Sequence, residues 1–341
     1  MIARAAFCLT SALVACCVVL GGCGRSTSQG KVKVGMVTDV GGLGDRSFND
    51  SAYAGLVACK SRARAQIQVL QSKSAADYQP NLTVLATERF AEIFAIGFLM
   101  NKDLSEVARR FGDRSFAIVD AVVDAPNVES VTFKEEDGSF LAGALAALVT
   151  KTKSVAFLGG MDIPLLRKFE AGFAAGTREI DPTTKVLVKY VGSFDDVAAG
   201  KELTGVLYDQ GADIVYAAAG KAGLGAIEEA KQRAGRYVIG VDSNQDGLAP
   251  GKVLTSMVKR VDNAVLRVCR DAVAGKRPSG HIVLGLAQDG VGLTDFRYTK
   301  IAIGEANIAR IARIRNAIVD GKIVPPSTRE ELERFKPVPA P

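Results

Sequence analysis

The sequence contains no tryptophan and only one histidine, and these two scarcities narrow the functions that the chain can have. His281 stands at the start of a predicted strand, so a catalytic triad centred on histidine is not expected. No CxxC, HExxH or GxSxG motif occurs, which argues against the common dithiol, zinc and serine-hydrolase sites. Aromatic residues make up only 6% of the 341 residues. An aromatic side chain outside a core pattern is therefore unusually informative in this chain.

The sequence also lacks clusters of basic residues and has few cysteines after residue 23. The net charge is +6, but basic residues are interleaved with acidic ones, so nucleic acid is not expected as a partner. Four of the six cysteines fall within the first 23 residues. Cys59 and Cys269 remain, both in predicted helices, as either two buried small hydrophobic residues or a disulfide made in an oxidising compartment. After residue 23 no hydrophobic run reaches the ~18 residues that a membrane-spanning helix needs.

The first 23 residues have the pattern of an export signal. Arg4 supplies a positive start, and the apolar run "AAFCLTSALVACCVVL" is as long as a signal-peptide core but short for a membrane span. The run ends in Leu20-Gly21-Gly22-Cys23, which resembles the bacterial lipobox. We therefore expect a lipoprotein signal peptide at 1–22, lipidation (palmitate) of Cys23, and a flexible lipid-anchored linker at 23–31. The alternative is an ordinary secretory signal followed by a chance cysteine.

From residue 31 onward, short β-branched runs alternate with helical patterns. The first predicted strands are "KVKVGMVT", "QIQVL", "IFAIGF", "FAIVDAVV" and "VESVTF", separated mostly by helices at 47–64, 77–90 and 101–111. The alternation restarts at residue 135 and continues to a helix at 303–320. This order predicts parallel sheets covered by helices on both faces, and its two rounds predict an α/β protein with two Rossmann-like lobes.

Ligands bind beyond the carboxyl ends of strands in open α/β sheets, so the residues that follow each predicted strand are candidates for the site. They include acids, amides, aromatic side chains and one lysine: Asp39, Ser47, Phe48, Asn49, Phe98, Asn101, Asp120, Tyr216, Asp242, Ser243, Asn244 and Lys259. The first of these loops, "TDVGGLGDRSFND" at 38–50, is longer than a plain strand-to-helix turn of about two to six residues.

Patterns for catalysis or phosphate binding are weak. "GKAGLG" at 220–225 precedes a helix, but it lacks the GxGxxG spacing and the helix that follows the lysine of a Walker loop, so it indicates a flexible turn near a ligand. Asp195-Asp196 is typical of a helix N-cap. No tight run of acids suggests a hydrolase site. We therefore expect no enzyme activity, no cofactor and no metal site.

Patterns for binding are more specific. Phe48 is either a core residue or a stacking surface for a planar ligand, in which case Asn49 can read the ligand edge as donor and acceptor together. Tyr216 could cover the other face of such a ligand. Asp120 and Asp242 are either caps and surface acids or acceptors for paired hydroxyls, as on a ribose. With Lys259 as a charged donor, the set suits a flat, polar, sugar-bearing molecule between two lobes.

The segment "GMVTDVGGLGDRSFNDSAYAGL" resembles the opening of the basic membrane protein lipoproteins. The resemblance continues in order through "EEDGSFLAGALAAL", "FEAGFAAG", "LYDQGADIVY", "VIGVDSNQ" and "VLTSMVKRVDNAV", covering nearly all of residues 32–292. It implies a type I periplasmic binding protein fold, with two α/β lobes joined by three crossovers. It also implies a substrate-binding protein that captures purine nucleosides such as adenosine, guanosine and inosine for the permease of an ABC importer. We expect a monomer in the bacterial cell envelope, lipid-anchored to a membrane and facing the periplasm or the exterior.

The resemblance further implies domain limits and residue roles. The N-terminal lobe is expected at 32–134 with about 260–282 returning to it, the C-terminal lobe at 135–259 with about 283–325, and a tail at 326–341. Phe48 would stack on the base, Asn49 would read its edge, and Asp39 and Asp120 would line the N-terminal side. The remaining roles fall on Asp242 for the ribose hydroxyls, Lys259 for the nucleoside, and Tyr216 as a second stacking aromatic.

Two departures from the family pattern bear on the ligand. One of the two acids expected before the SFN motif is missing in Gly44-Asp45-Arg46-Ser47, and Lys221 replaces a glycine that would approach the ligand. A cation there could favour a nucleotide over a nucleoside. Two rival functions stay open: a nucleoside hydrolase or phosphorylase, and a surface adhesin or signalling receptor on the same fold.

Overall fold

The computed structural model describes residue 2 and residues 31–338, so the predicted signal peptide and Cys23 lie outside the described residues. Its strands, in chain order, are β1 (Lys33–Thr38), β2 (Gln66–Gln71), β3 (Glu92–Ile96), β4 (Phe116–Val119), β5 (Val128–Phe133), β6 (Ser154–Gly159), β7 (Lys185–Tyr190), β8 (Ile214–Ala218), β9 (Tyr237–Asp242), β10 (Val253–Lys259), β11 (Gly280–Leu284) and β12 (Val291–Leu293). They form two six-stranded sheets, in the orders β11-β5-β4-β3-β1-β2 and β12-β10-β9-β8-β6-β7.

Helices cover both sheets. They are α1 (Phe48–Ala63), α2 (Tyr78–Thr87), α3 (Asn101–Arg110), α4 (Glu135–Val149), α5 (Pro164–Ile180), α6 (Val197–Asp209), α7 (Gly223–Gln232), α8 (Val261–Val273), α9 (Lys300–Ile303), α10 (Glu305–Val319) and α11 (Arg329–Arg334). Every strand pair is parallel except β10 with β12. The expectation of an α/β protein with two parallel-sheet lobes is confirmed.

The central strands are buried along their whole length. All residues of β3, β4, β6 and β8 are buried, because helices pack on both faces of each sheet. Such strands are almost continuously apolar rather than alternating, which is why "FAIV" and "IVYAA" could be predicted as strands. The alternation did not predict the short strand β12 or the short helices α9 and α11.

The chain crosses between the two sheets three times. It leaves the first sheet after β5, returns after β10 through α8, and crosses finally between β11 and β12. The first two crossovers carry Glu135, at the start of α4, and Lys259, at the end of β10. Both side chains are buried. Polar residues of the crossovers therefore lie where the two lobes meet.

Glycines let α4 and α5 pack closely in the second lobe. A Cβ at Gly143 would lie 1.9 Å from the backbone oxygen of Phe173, and one at Gly176 would lie 1.9 Å from that of Phe140. Any larger residue at either position would force the helices apart. This contact fixes α5, whose N-terminal half reaches the cleft between the lobes.

Cys59 and Cys269 form a disulfide between α1 and α8, with a Cα–Cα distance of 6.2 Å. Both residues are fully buried, so the structure combines the two alternatives that their helical context allowed. Disulfides persist in oxidising compartments, which agrees with an exported protein. Among the described residues, no helix is both long and apolar enough to cross a membrane.

Candidate ligand-binding cleft

A cleft lies between the two lobes, at the carboxyl ends of their strands. It holds about 610 Å³ of empty space, counting the part open to solvent. Six of the seven residues predicted for the site line it: Asp39, Phe48, Asn49, Asp120, Asp242 and Lys259. The seventh, Tyr216, does not.

Asp45 explains why the loop after β1 is long. Its carboxylate accepts hydrogen bonds from the backbone N–H groups of Ser47, Asn49 and Asp50, at 2.9, 2.8 and 3.0 Å. These are donors that the start of a helix leaves without a partner, and an acid there also suits the positive end of the helix. The loop thus folds back to cap α1, and it holds Phe48 at the edge of the cleft.

Asp39 and Asn49 are locked to each other beside this cap. The Asn49 side-chain oxygen accepts a hydrogen bond from the Asp39 backbone N–H at 3.1 Å, and its amide nitrogen donates to Asp45 at 3.0 Å. One amide hydrogen and one lone pair of Asn49 remain free for a ligand. Asp39 accepts from the Tyr78 hydroxyl and from the backbone N–H of Val40. Burial raises the pKa of Asp39, and the Tyr78 hydrogen bond opposes that rise.

Lys259 stands at the centre of a buried charge cluster. Its Nζ lies 2.6 Å from Oδ2 of Asp120, 3.8 Å from Oδ1 of Asp242 and 3.8 Å from Oε1 of Glu135. The same atom lies 4.8 Å from the centroid of the Phe48 ring. The cluster joins a strand of each lobe to two crossovers, and it places charged donors and acceptors directly beside an aromatic surface.

Three groups of the cluster have raised pKa values. Burial raises the pKa of Asp242 to about 6, although the Lys259 ammonium opposes that rise. Burial also raises the pKa of Glu135 to about 7, opposed by Lys168 and Lys259. Burial alone would lower the pKa of Lys259, but the neighbouring carboxylates hold it above its usual range. Lys259 therefore stays charged, whereas Asp242 and Glu135 titrate near neutral pH.

Asp120 and Asp242 share an unusual backbone conformation. Asp120 has φ 70° directly after β4, and Asp242 has φ 61° at the end of β9. For a residue other than glycine, such a conformation typically costs about 1–3 kcal/mol and is found disproportionately at functional sites. Oδ1 of Asp120 is buried and has no hydrogen-bond partner among residues 31–338. Asp120 thus offers an unpaired acceptor in the wall of the cleft.

The lobes are joined directly beside Asp242. The Ser47 hydroxyl donates to Oδ2 of Asp242 at 2.6 Å, and the Ser243 hydroxyl donates to the backbone oxygen of Ser47 at 2.8 Å. The Gln245 amide donates to the backbone oxygen of Arg46 at 3.0 Å. The loop that carries Phe48 is therefore held against the second lobe, and Asp242 contributes both to that contact and to the cleft.

The structure does not place Tyr216 at the cleft, where a second stacking aromatic residue was expected. Its ring is fully buried in the second lobe, 5.4 Å from Phe173 and 5.7 Å from Phe157 between centroids, and its hydroxyl bonds with Ser139. It lies on the inner part of β8, before the strand reaches the cleft, so it is a core residue. Phe169 and Phe194 are the aromatic residues of the second lobe that line the cleft.

The sequence signal for these two residues was uneven. Phe194 follows the predicted strand "KVLVKYV", so the strand-end rule could have found it. Phe169 lies on α5, where its spacing is that of an ordinary core position, and nothing in the sequence distinguishes it. Lys221 also lines the cleft after β8, half-buried and without a salt bridge among the described residues. The cleft thus has apolar walls, four carboxylates and two lysines.

Known proteins of similar sequence include ABC transporter substrate-binding proteins and lipoproteins. A family model described as "ABC transporter substrate-binding protein PnrA-like" matches residues 32–328. The chain is 35% identical to the ABC transporter nucleoside-binding protein BmpA of Lactococcus lactis subsp. cremoris, covering 91% of this chain and 95% of that protein. It is 34% identical to an uncharacterized lipoprotein of Pyrococcus abyssi, covering 84% of this chain and 74% of that protein.

A solved structure shows the same fold. The crystal structure of an ABC transporter solute-binding protein from Aeropyrum pernix K1 superposes with a TM-score of 0.82 at 26% identity, covering 89% of this chain and 96% of that chain. The match spans both lobes, as does the family model. The chain belongs to the PnrA-like family of ABC transporter substrate-binding proteins.

Proposed function

We propose that this substrate-binding protein captures purine nucleosides for an ABC importer and catalyses no reaction. The observation that carries the proposal is the juxtaposition of Phe48 with the Lys259 cluster, 4.8 Å from ring centroid to ammonium. A nucleoside has a flat aromatic base and a sugar with paired hydroxyls, and the cleft offers an aromatic surface next to charged hydroxyl partners. The basic membrane protein resemblance and the nucleoside-binding name of one relative support the same ligand class.

The sugar belongs with Asp120, Asp242 and Lys259 in this proposal. The unpaired Oδ1 of Asp120 and the carboxylate of Asp242 are acceptors for hydroxyl groups, and Lys259 is a donor. Hydrogen bonds to charged groups typically contribute about 1.5–3 kcal/mol each. The base then lies on Phe48, where Asn49 has one donor and one acceptor position left.

The proposal includes a membrane anchor. Cys23 lies outside the described residues, and the support is the apolar leader that ends in Leu20-Gly21-Gly22-Cys23. The lipoprotein name of the Pyrococcus relative and the buried Cys59–Cys269 disulfide agree with an exported, tethered protein. The anchored protein would face the periplasm or the exterior and present its ligand to a permease.

Titration calorimetry with matched ligands tests the proposal. We expect guanosine to bind more tightly than 2′-deoxyguanosine, and guanine to bind most weakly, because a site built for a hydroxyl leaves its own polar group unpaired without it. Asp242→Asn should narrow the gap between ribo and deoxy forms. Asp195→Asn, at an exposed carboxylate, serves as the control and should bind as wild type.

Each alternative has its own outcome in the same assays. A preference for guanosine monophosphate would move the ligand from nucleoside to nucleotide and would point to Lys221. Release of hypoxanthine from inosine would show a hydrolase or phosphorylase. Absence of binding to any purine nucleoside would refute the proposed ligand, while the family assignment would remain.

A further inference from the structure

The chain ends in a segment that docks on the second lobe. Residues 327–338, here called the C-terminal strap, comprise α11 and the residues on either side of it. The match to the family model ends at residue 328, so most of the strap lies beyond the matched residues. A tail was expected here, and the structure shows how that tail is held.

The distal half of the strap is fixed to α5 and to the core. Arg178 donates to the backbone oxygen of Leu332 at 2.7 Å, and the backbone N–H of Val338 donates to Glu179 at 3.0 Å. The Phe335 ring packs edge-on against Phe140 with centroids 5.8 Å apart. Polar contacts with α5 and an apolar contact with α4 therefore hold the strap against the second lobe.

Arg329 connects the strap to the other end of the same helix. Its guanidinium donates to both carboxylate oxygens of Glu170, at 3.1 and 2.7 Å, and lies 3.5 Å from Oδ1 of Asp162. The Glu170 side chain is only 9% exposed and also accepts from the Tyr190 hydroxyl. A two-pronged arginine–carboxylate pair fixes orientation as well as distance.

The two partners of Arg329 flank the cleft wall. Asp162 directly precedes Ile163 and Glu170 directly follows Phe169, and both Ile163 and Phe169 line the cleft, as do Leu165 and Leu166 between them. Residues 163–169, here called the cleft wall, form an apolar part of the cleft surface on the second lobe. One guanidinium outside the cleft thus reaches both ends of the segment that shapes it, and Asp162 is held in addition by Arg167 at 2.7 Å.

We propose that the C-terminal strap positions the cleft wall through Arg329, so that ligand affinity depends on a segment that touches no ligand. Arg329 is a positioning residue that acts through Asp162 and Glu170. The inference concerns the same site as the proposed function and borrows a nucleoside as its probe. Its structural half, however, can be tested without any ligand.

The test compares Arg329→Met with Arg334→Met, a matched change on the same helix. Among residues 31–338, Arg334 donates a hydrogen bond only to the backbone oxygen of Glu330, so its loss should leave the wall in place. Amide hydrogen exchange of residues 163–170 in the ligand-free protein measures the wall directly, and guanosine titration well below the melting temperature measures affinity. Substitutions away from a ligand commonly change coupling enough to alter affinity about two- to thirtyfold.

We expect Arg329→Met to speed exchange at 163–170 and to raise the Kd within that range, while Arg334→Met changes neither. Arg329→Lys should fall between, since it keeps the charge but loses the fork. If Arg329→Met fails to fold, Arg329→Lys and Asp162→Asn take its place in both measurements. Unchanged exchange would overturn the inference, and so would faster exchange with an unchanged Kd. If wild type binds no nucleoside, the proposed function fails, and the exchange result alone decides whether the strap holds the wall.

Discussion

Replacing Lys259 by methionine should destabilise the protein, and the loss should depend on pH. The ammonium lies among three buried carboxylates, 2.6 Å from Asp120 and 3.8 Å from each of Asp242 and Glu135, and Glu135 is also paired with Lys168 at 3.0 Å. Its side chain is 3% exposed. Removing one partner of a buried ion pair typically costs about 3–5 kcal/mol, because the other charge is left without compensation.

The pH dependence follows from the carboxylates. The pKa of Asp242 is raised to about 6 and that of Glu135 to about 7, whereas both groups have lower values in the unfolded chain. The folded state therefore binds more protons than the unfolded state between about pH 4 and 7, and stability falls as pH rises through that window. Removing Lys259 raises both pKa values further. The variant should lose most at pH 8, and less at pH 5, where the carboxyl groups take up protons and no longer need the ammonium.

Thermal unfolding of ligand-free protein at pH 5 and pH 8 measures both effects. At about 2 °C per kcal/mol for a chain of this size, Lys259→Met should melt about 6–10 °C below wild type at pH 8. The difference should shrink to less than half at pH 5. Lys231→Met is the control, because Lys231 forms an exposed pair with Glu228 and should change the melting temperature by no more than about 1 °C. An equal loss at both pH values, or none at pH 8, would refute the reasoning.

Three further predictions concern the aromatic surface, the anchor and the disulfide. Phe48→Ala should weaken guanosine binding about five- to 150-fold, the equivalent of a stack worth about 1–3 kcal/mol, and calorimetry at unchanged thermal stability would separate this from a loss of core packing. Cys23→Ala should give an unprocessed or soluble product. Membrane fractionation and intact-mass measurement test this, and normal membrane retention with a normal mature mass in the variant would contradict lipidation at Cys23. Cys59→Ser combined with Cys269→Ser should lower the free energy of unfolding by about 2–4 kcal/mol in chemical denaturation. As an internal check, a reducing agent should lower the stability of the wild-type protein and leave that of the double variant unchanged.

The sequence predicted the fold well because the fold depends on repeated local patterns. Apolar runs such as "FAIV" and "SVAFLGG" are buried strands, and the helices between them were placed within a few residues of their ends. The elements that it missed, β12, α9 and α11, are three to six residues long. Segments of that length carry too few residues to establish a period, and their conformation is set by the strands and helices against which they pack.

Residues of the candidate site could be predicted where they follow strand ends. They could not be predicted where their position depends on how deeply a side chain is buried in the lobe. Asp39, Asp120 and Asp242 lie at or just beyond strand ends and reach the cleft. Tyr216 lies two residues before the end of β8, and this small difference places its ring in the core. Phe169 faces the cleft from the side of a helix, where its spacing matches a core position equally well. Counting residues from strand ends predicts neither the burial of Tyr216 nor the position of Phe169 on a helix.

The backbone at Asp120 and Asp242 supports the role proposed for the two carboxylates. Both residues hold positive φ angles, one in each lobe, where glycine would avoid the strain. Glycine would also remove the buried acceptor beside Lys259 in one lobe and the partner of Ser47 in the other. The fold therefore keeps a strained conformation at two positions for the sake of their side chains. Those side chains form the ion pair with Lys259 and the hydrogen bond with Ser47, and the strained backbone at both positions supports their proposed part in ligand binding.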